Sequence, residues 1–333
     1  MGFHLTLLSP SLKLETIVET PTDKPAALDS NSDPFNPAHR AATVPAFGGP
    51  SNGFAALPVN HPDNPAWGVL AAIGVWLGSI GLLVVGGVLA LIVYFAVHPS
   101  SMNVEGLQRA LESDPQFILF SVLATLPSHL LTFGLGWAVV TGFGKRPFGE
   151  VVGWSWGARF GFWKCAGLAI GLWLFGILLA KLVGGEPTDL ERIIASSNAA
   201  RFSLAFLAVA TAPIVEEVVY RGVLFPPLQR STGTGAAIVI VSLLFASVHF
   251  VQYWKNPGVI AAVTLLSFVL TWVRARTGRL LPCFIIHLVF NGVQAILIVA
   301  EPYLKTLTPA SPEPQSAIIM LLLSLARAFG PGA

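Results

Sequence analysis

The chain has 333 residues, of which 54% are hydrophobic and only 11% charged, and its mean hydropathy is +0.71. Soluble proteins carry about 25% charged residues, so this composition excludes an ordinary soluble enzyme and describes an all-α, polytopic transmembrane helical bundle. A net charge of +2 leaves no basic footprint for nucleic acid; the lipid bilayer is the expected environment.

Residues 1–65 are polar, rich in Pro, Asn, Asp and Ser, and lack sustained periodicity, so they are expected to form a disordered cytoplasmic tail. No basic segment precedes an apolar core there, as a secretory signal requires. Met1-Gly2-Phe3-His4-Leu5-Thr6 fits the short, degenerate myristoylation pattern.

Apolar runs follow, each near the ~20 residues that a spanning helix needs. The expected spans are 67–97, 117–142, 160–183, 202–225, 235–250, 259–273 and 281–299, and a short run at 317–329 brings the total to about eight. The first three occupy a segment at 66–184, a polar-residue-bearing core occupies 185–300, and 301–333 holds a loop and the last run. Two polar stretches are expected as helices lying at one membrane face. One is 103–113; the other starts at Thr188, where Thr188-Asp189-Leu190-Glu191 fits a capping box.

Basic residues alternate between loops. Lys145, Arg146, Arg159, Lys164, Arg230, Arg274, Arg276 and Arg279 fall on one side, and the other side is acidic, so the positive-inside rule puts the N-terminus in the cytoplasm of a plasma-membrane protein. Tryptophans near span ends are read as interface anchors. Cys165 and Cys283 lie in apolar context without metal-ligand or disulfide spacing.

Ionisable residues inside such runs cost at least ~2.5–3.5 kcal/mol each and call for a function. The fourth run holds Glu216, Glu217 and Arg221, the fifth Phe245 and His249, and the seventh His287 and Asn291. Residues four apart share a helix face, so Glu217 can pair with Arg221, and His287 and Asn291 project together. Glu216 points about 100° away from Glu217 and has no local partner. His129, in the second run near Pro127, has no partner at suggestive spacing and reads as structural.

One unpaired glutamate, two histidines and an asparagine suit hydrolysis. Glu216 can take a proton from water, a histidine can hold that water or protonate the leaving amine, and His287 and Asn291 can donate to an oxyanion. Alternatively, Glu216, His249 and His287 could bind a divalent metal such as zinc, although no His-Glu-x-x-His helix is present. A second class of function, an ion-coupled transporter using these groups as a proton relay, should show paired broken helices in two related halves, and no internal repeat is visible. A silent scaffold would tolerate loss of Glu216. The depths set a geometric condition: His287 lies ~9 Å in from Leu281, and His249 ~21 Å in from Gly235. For these to meet, either the fifth helix tilts or begins later, or the seventh begins before Leu281.

Glu216-Glu217-Val218-Val219-Tyr220-Arg221, Phe245-Ala246-Ser247-Val248-His249 and His287-Leu288-Val289-Phe290-Asn291 read Glu-Glu-x-x-x-Arg, Phe-x-x-x-His and His-x-x-x-Asn. In this order on successive apolar helices, they resemble the CPBP family: type II CAAX prenyl endopeptidases and bacteriocin-processing, Abi-type proteins. The resemblance covers roughly 185–300. It implies an intramembrane endopeptidase acting on a peptide or protein substrate, lipidated or otherwise membrane-associated. By it, Glu216 is the general base, His249 assists, His287 and Asn291 bind the oxyanion, and Glu217, Arg221 and Phe245 support the site. Members are commonly labelled metalloproteases; the favoured mechanism here is metal-free.

Overall fold

The computed structural model describes Leu57, residues 61–157 and residues 160–307, the last three by backbone alone. Most of the expected tail with its myristoylation pattern, Arg159, and the run at 317–329 lie outside the described residues.

Among the described residues, seven helices are long and apolar enough to cross a membrane. The first span is α1 (Val69–Val97). A short amphipathic helix, α2 (Val104–Glu112), leads to the second span, α3 (Pro115–Thr141), and α4 (Phe148–Val152) follows in the next loop. The third span is α5 (Phe162–Val183), and α6 (Asp189–Ser196) follows it. The fourth is composite: α7 (Asn198–Ala210), α8 (Ala212–Glu217), a π-helical segment (Val218–Leu224) and α9 (Phe225–Thr232). The last three are α10 (Thr234–Tyr253), α11 (Pro257–Thr277) and α12 (Leu280–Leu307). The protein is thus an all-helical, integral membrane bundle.

Local chemistry sets the helix starts. The Asn103 side chain accepts from Gly106 N at 2.7 Å to open α2, and Asp114 Oδ1 accepts from Gln116 N and Phe117 N to open α3. The capping box expected at Thr188 is present, with Thr188 N donating to Glu191 Oε2 at 3.1 Å. The five-residue α4 was not expected, being too short for a hydropathy signal.

The fourth span runs from Asn198 to Thr232, well beyond the expected 202–225. Pro213 sits in the first turn of α8, where its missing N–H leaves no hydrogen bond unmade. Pro226 and Pro227 interrupt the hydrogen-bond ladder further on. The N–H that Pro227 lacks would have reached the Val223 carbonyl, and the Trp67 indole Nε1 donates to that carbonyl instead, at 3.0 Å. Phe225 N reaches back five residues to Tyr220 O, the spacing of a π-helix. Trp67 is therefore a buried partner of the π segment, not a membrane-interface anchor.

Close helix approach depends on small residues. A Cβ on Gly86 of α1 would lie 2.5 Å from Ser128 Oγ of α3, and one on Gly258 of α11 would lie 2.7 Å from the Ala180 backbone of α5. The larger core cluster surrounds the π segment, joining Val218, Tyr220 and Leu224 to Ala72 and Val75 of α1, Val140 of α3, Val151 and Val152 of α4, and Val241 and Phe245 of α10. A second holds Cys165, Leu266, Leu270, Cys283 and Ile286 between α5, α11 and α12, and both cysteines are buried free thiols.

Residues 61–65, placed by sequence in the disordered tail, form a strap against the bundle. Arg274 is fully buried and donates to Asp63 Oδ1 at 2.8 Å and Pro62 O at 2.7 Å. Arg230 donates to Asn64 Oδ1 and Pro65 O. Two residues read as topology signals thus also fasten the chain ahead of α1. At the opposite end, Arg192 of α6 donates to Leu111 O and Glu112 O of α2, and Lys255 pairs with Glu186 at 3.3 Å.

Candidate active site

Five residues of the first two motifs, Glu216, Glu217, Arg221, Phe245 and His249, sit on the composite fourth span and α10; His287 and Asn291 sit on α12. Five of the seven, Glu216, Phe245, His249, His287 and Asn291, line one cavity of about 790 Å³ that runs between α1, α3, α5, α7, α8, α10, α11 and α12. Glu217 and Arg221 lie behind its wall, both fully buried.

The two carboxylates have different surroundings. Glu217 Oε1 accepts from Arg221 Nη1 at 2.9 Å and from His287 Nδ1 at 2.8 Å. Arg221 is held in turn by α11: Nε donates to Thr271 Oγ1 at 3.2 Å, and Nη2 donates to Ser267 O at 2.9 Å and Ser267 Oγ at 2.7 Å. Its guanidinium also lies 5.0 Å from the Phe245 ring centroid. Glu217 and Arg221 therefore form a buried, multiply bonded anchor. Glu216 keeps 22% of its side-chain surface exposed, in the cavity, and its Oε2 lies 3.8 Å from His287 Nε2.

His287 is thus the link between the pair. It reaches the buried Glu217 with Nδ1 and the accessible Glu216 with Nε2. Sequence reasoning joined Glu217 only to Arg221 and set His287 beside Asn291; it missed this bridge, whose partners are 70 residues apart. Asn291 Nδ2 spends one N–H on Ala208 O of α7 at 3.0 Å, which leaves a second. His249 Nδ1 donates to Phe245 O at 2.9 Å, so in the neutral ring Nε2 is the acceptor.

The depth mismatch between the two histidines is spanned by Phe245. Its ring stacks on His249 with centroids 4.6 Å apart and meets His287 edge-on at 6.1 Å. α12 begins at Leu280, with Pro282 tolerated in its first turn, so no early start is needed.

Polar residues outside the motifs also reach the cavity. Tyr220 and Tyr253 line it, as does His129, whose Nδ1 lies 2.8 Å from Thr211 Oγ1. His129 therefore has a partner, 82 residues away at the α7–α8 junction. The signal that could have found it is Ser121 and Thr125, four and eight residues before it on α3.

Glu216, His249 and His287, the candidate metal ligands, do not form a ligand set. Among the described residues, no group of three His, Cys, Asp or Glu side chains could hold a metal ion.

No curated protein and no solved structure matches the chain. Residues 198–293, which begin at the first residue of α7 and end two residues past Asn291, match the family model described as type II CAAX prenyl endopeptidase Rce1-like, and every motif residue lies within that match.

Proposed function

We propose that the protein is an intramembrane endopeptidase that hydrolyses peptide bonds of protein substrates with a water activated by Glu216. The observation that carries this reading is the division of labour in the acidic pair: Glu217 is buried and paired with Arg221 through Oε1, whereas Glu216 faces the cavity with His287 between them. A general base must reach the proton that it abstracts, and Glu216 is the carboxylate with open surface.

In this scheme, Glu216 removes a proton from water while His249 Nε2 accepts the water's other hydrogen. The new hydroxide attacks the peptide carbonyl carbon. The free N–H of Asn291 donates to the developing oxyanion, and so does Nε2–H of His287 when that ring is protonated. Collapse breaks the C–N bond, and Glu216 returns its proton to the leaving amine. Glu217 and Arg221 set the ring of His287, and Phe245 spaces the two histidines. The scheme passes no step through a metal.

The family description points to a lipidated or membrane-associated, CAAX-like substrate, with bacteriocin-type processing as the wider family alternative. The side carrying Lys145, Arg230, Arg276 and Arg279 is assigned to the cytoplasm of the plasma membrane by the positive-inside rule. The test compares protein and peptide termini in membranes carrying the wild-type protein and Glu216→Gln. New termini that depend on Glu216 support the reading; identical termini in both overturn it.

A further inference from the structure

Hydrolysis inside a bilayer needs water where lipid excludes it, and Glu216 lies deep in a span. One helix face supplies a candidate route. Ser121, Thr125, His129 and Thr132 of α3 follow one another at intervals of four, four and three residues, so they share one face, and all four line the cavity that holds Glu216. The rest of α3 is strongly apolar, and Leu123 and Leu130 on its other faces are exposed where lipid would lie.

The hydroxyl of Ser121 is buried without a hydrogen-bond partner, a state that ordinarily marks a water site. Thr125 Oγ1 donates to Ser121 O at 3.3 Å, which leaves its oxygen lone pairs free. Thr211 Oγ1 lies 3.2 Å from Leu207 O and 2.8 Å from His129 Nδ1. With the Thr211 hydrogen on Leu207 O, His129 donates from Nδ1–H to Thr211, and Nε2 is left as an acceptor on a ring that lines the cavity. Glu216 lines the same cavity. The same cavity continues to Leu111, Glu191, Arg192 and Asn256, at the end of the bundle where α2 and α6 lie.

We propose that this face of α3 is a water-binding path running from the α2–α6 end of the bundle to Glu216, with His129 as its last station, a positioning residue whose Nε2 holds the water next to the one which Glu216 activates. The role of the path in hydrolysis rests on the protease reading; its wetness does not.

Two arms separate these claims. A positively charged, water-soluble methanethiosulfonate reacts with thiolate, which forms only in contact with water. Both native cysteines are buried, so they give little background. In the full-length protein in membranes, Thr125→Cys and Ser121→Cys should label at least ~10-fold faster than Leu130→Cys, which faces lipid. Labelling of both path positions no faster than Leu130→Cys overturns the proposal, and either variant suffices should the other fail to fold. The second arm is His129→Asn, whose Nδ2 can replace Nδ1–H toward Thr211 but which has no counterpart of Nε2. The expected result is a kcat at least ~10-fold lower with KM unchanged. An unchanged kcat removes His129 from the role. Fast path labelling with no Glu216-dependent cleavage would instead remove the protease reading and leave the path standing.

Discussion

At the residue scale, the site depends on a carboxylate that is free because its neighbour is not. Arg221 and Glu217 have no exposed surface, and three residues on other helices hold them. Arg221→Met should strand Glu217 in the bundle and cost about 3–5 kcal/mol, read as a large fall in thermal stability in detergent or nanodiscs. Adding Glu217→Gln to Arg221→Met should recover much of that stability. It should not recover activity, because His287 still lacks the charged acceptor that fixes its ring; full activity in the double variant would contradict the anchoring role. Exhaustive chelation should leave the rate of the purified protein unchanged. Loss of activity that zinc alone restores would contradict the metal-free scheme.

The candidate residues stood out in the sequence because charge inside an apolar run is rare and because four-residue spacing can be read directly. Their partners were not. His287 meets Glu217, Asn291 meets Ala208 and His129 meets Thr211 across 70, 83 and 82 residues, and helix periodicity says nothing about contacts between helices.

At the scale of elements, the fourth span is not a plain helix, and the strap before α1 helps to explain why it holds together. Trp67 takes the carbonyl that Pro227 leaves free, and Asp63 neutralises the buried Arg274. Asp63→Ala should strand Arg274 and destabilise the bundle by roughly 3 kcal/mol, whereas Asp63→Asn keeps a hydrogen-bond partner and should cost less. Equal stability of the three proteins by thermal melting would show that the strap is not needed.

Asp114, the cap of α3, adds a pH dependence. Burial pushes its carboxyl up, but hydrogen bonds from Phe117 N, the Tyr94 hydroxyl and Gln116 N more than offset this and hold it below the ordinary carboxylate range. Its stabilisation is therefore complete above the unfolded value of ~3.9 and is lost as pH falls through the lower folded value. Asp114→Asn should flatten the acid limb of a stability–pH curve; an unchanged limb would assign that limb to other groups. Capped starts such as Asn103 and Thr188 were visible in the sequence, because caps are local. The π segment and the strap were not: one depends on an indole 156 residues away, and the other is a Pro- and Asn-rich stretch that reads as coil until its arginine partners are known.

At the scale of the whole molecule, hydropathy placed the seven described spans because a bilayer demands long apolar helices whatever their sequence. It could not show that α3, outside the motif-bearing region, supplies a wall of the same cavity as the motif residues. The family match covers only residues 198–293, yet residues from α1, α3 and α5 wall the same cavity. A fragment from α7 onward should therefore lack activity even if it inserts in the membrane, and co-expression of residues 1–197 should be needed to restore it; an active isolated fragment would contradict a shared cavity.

The central claim is that Glu216 activates the water. Its most direct test is the single-turnover cleavage rate of purified protein in nanodiscs, measured for wild type and Glu216→Gln on a substrate identified from Glu216-dependent termini, with thermal melting recorded on the same samples. The account predicts a loss of about 10²–10⁴-fold or more at unchanged melting temperature. A Glu216→Gln protein that is equally folded and cleaves at the wild-type rate would contradict it.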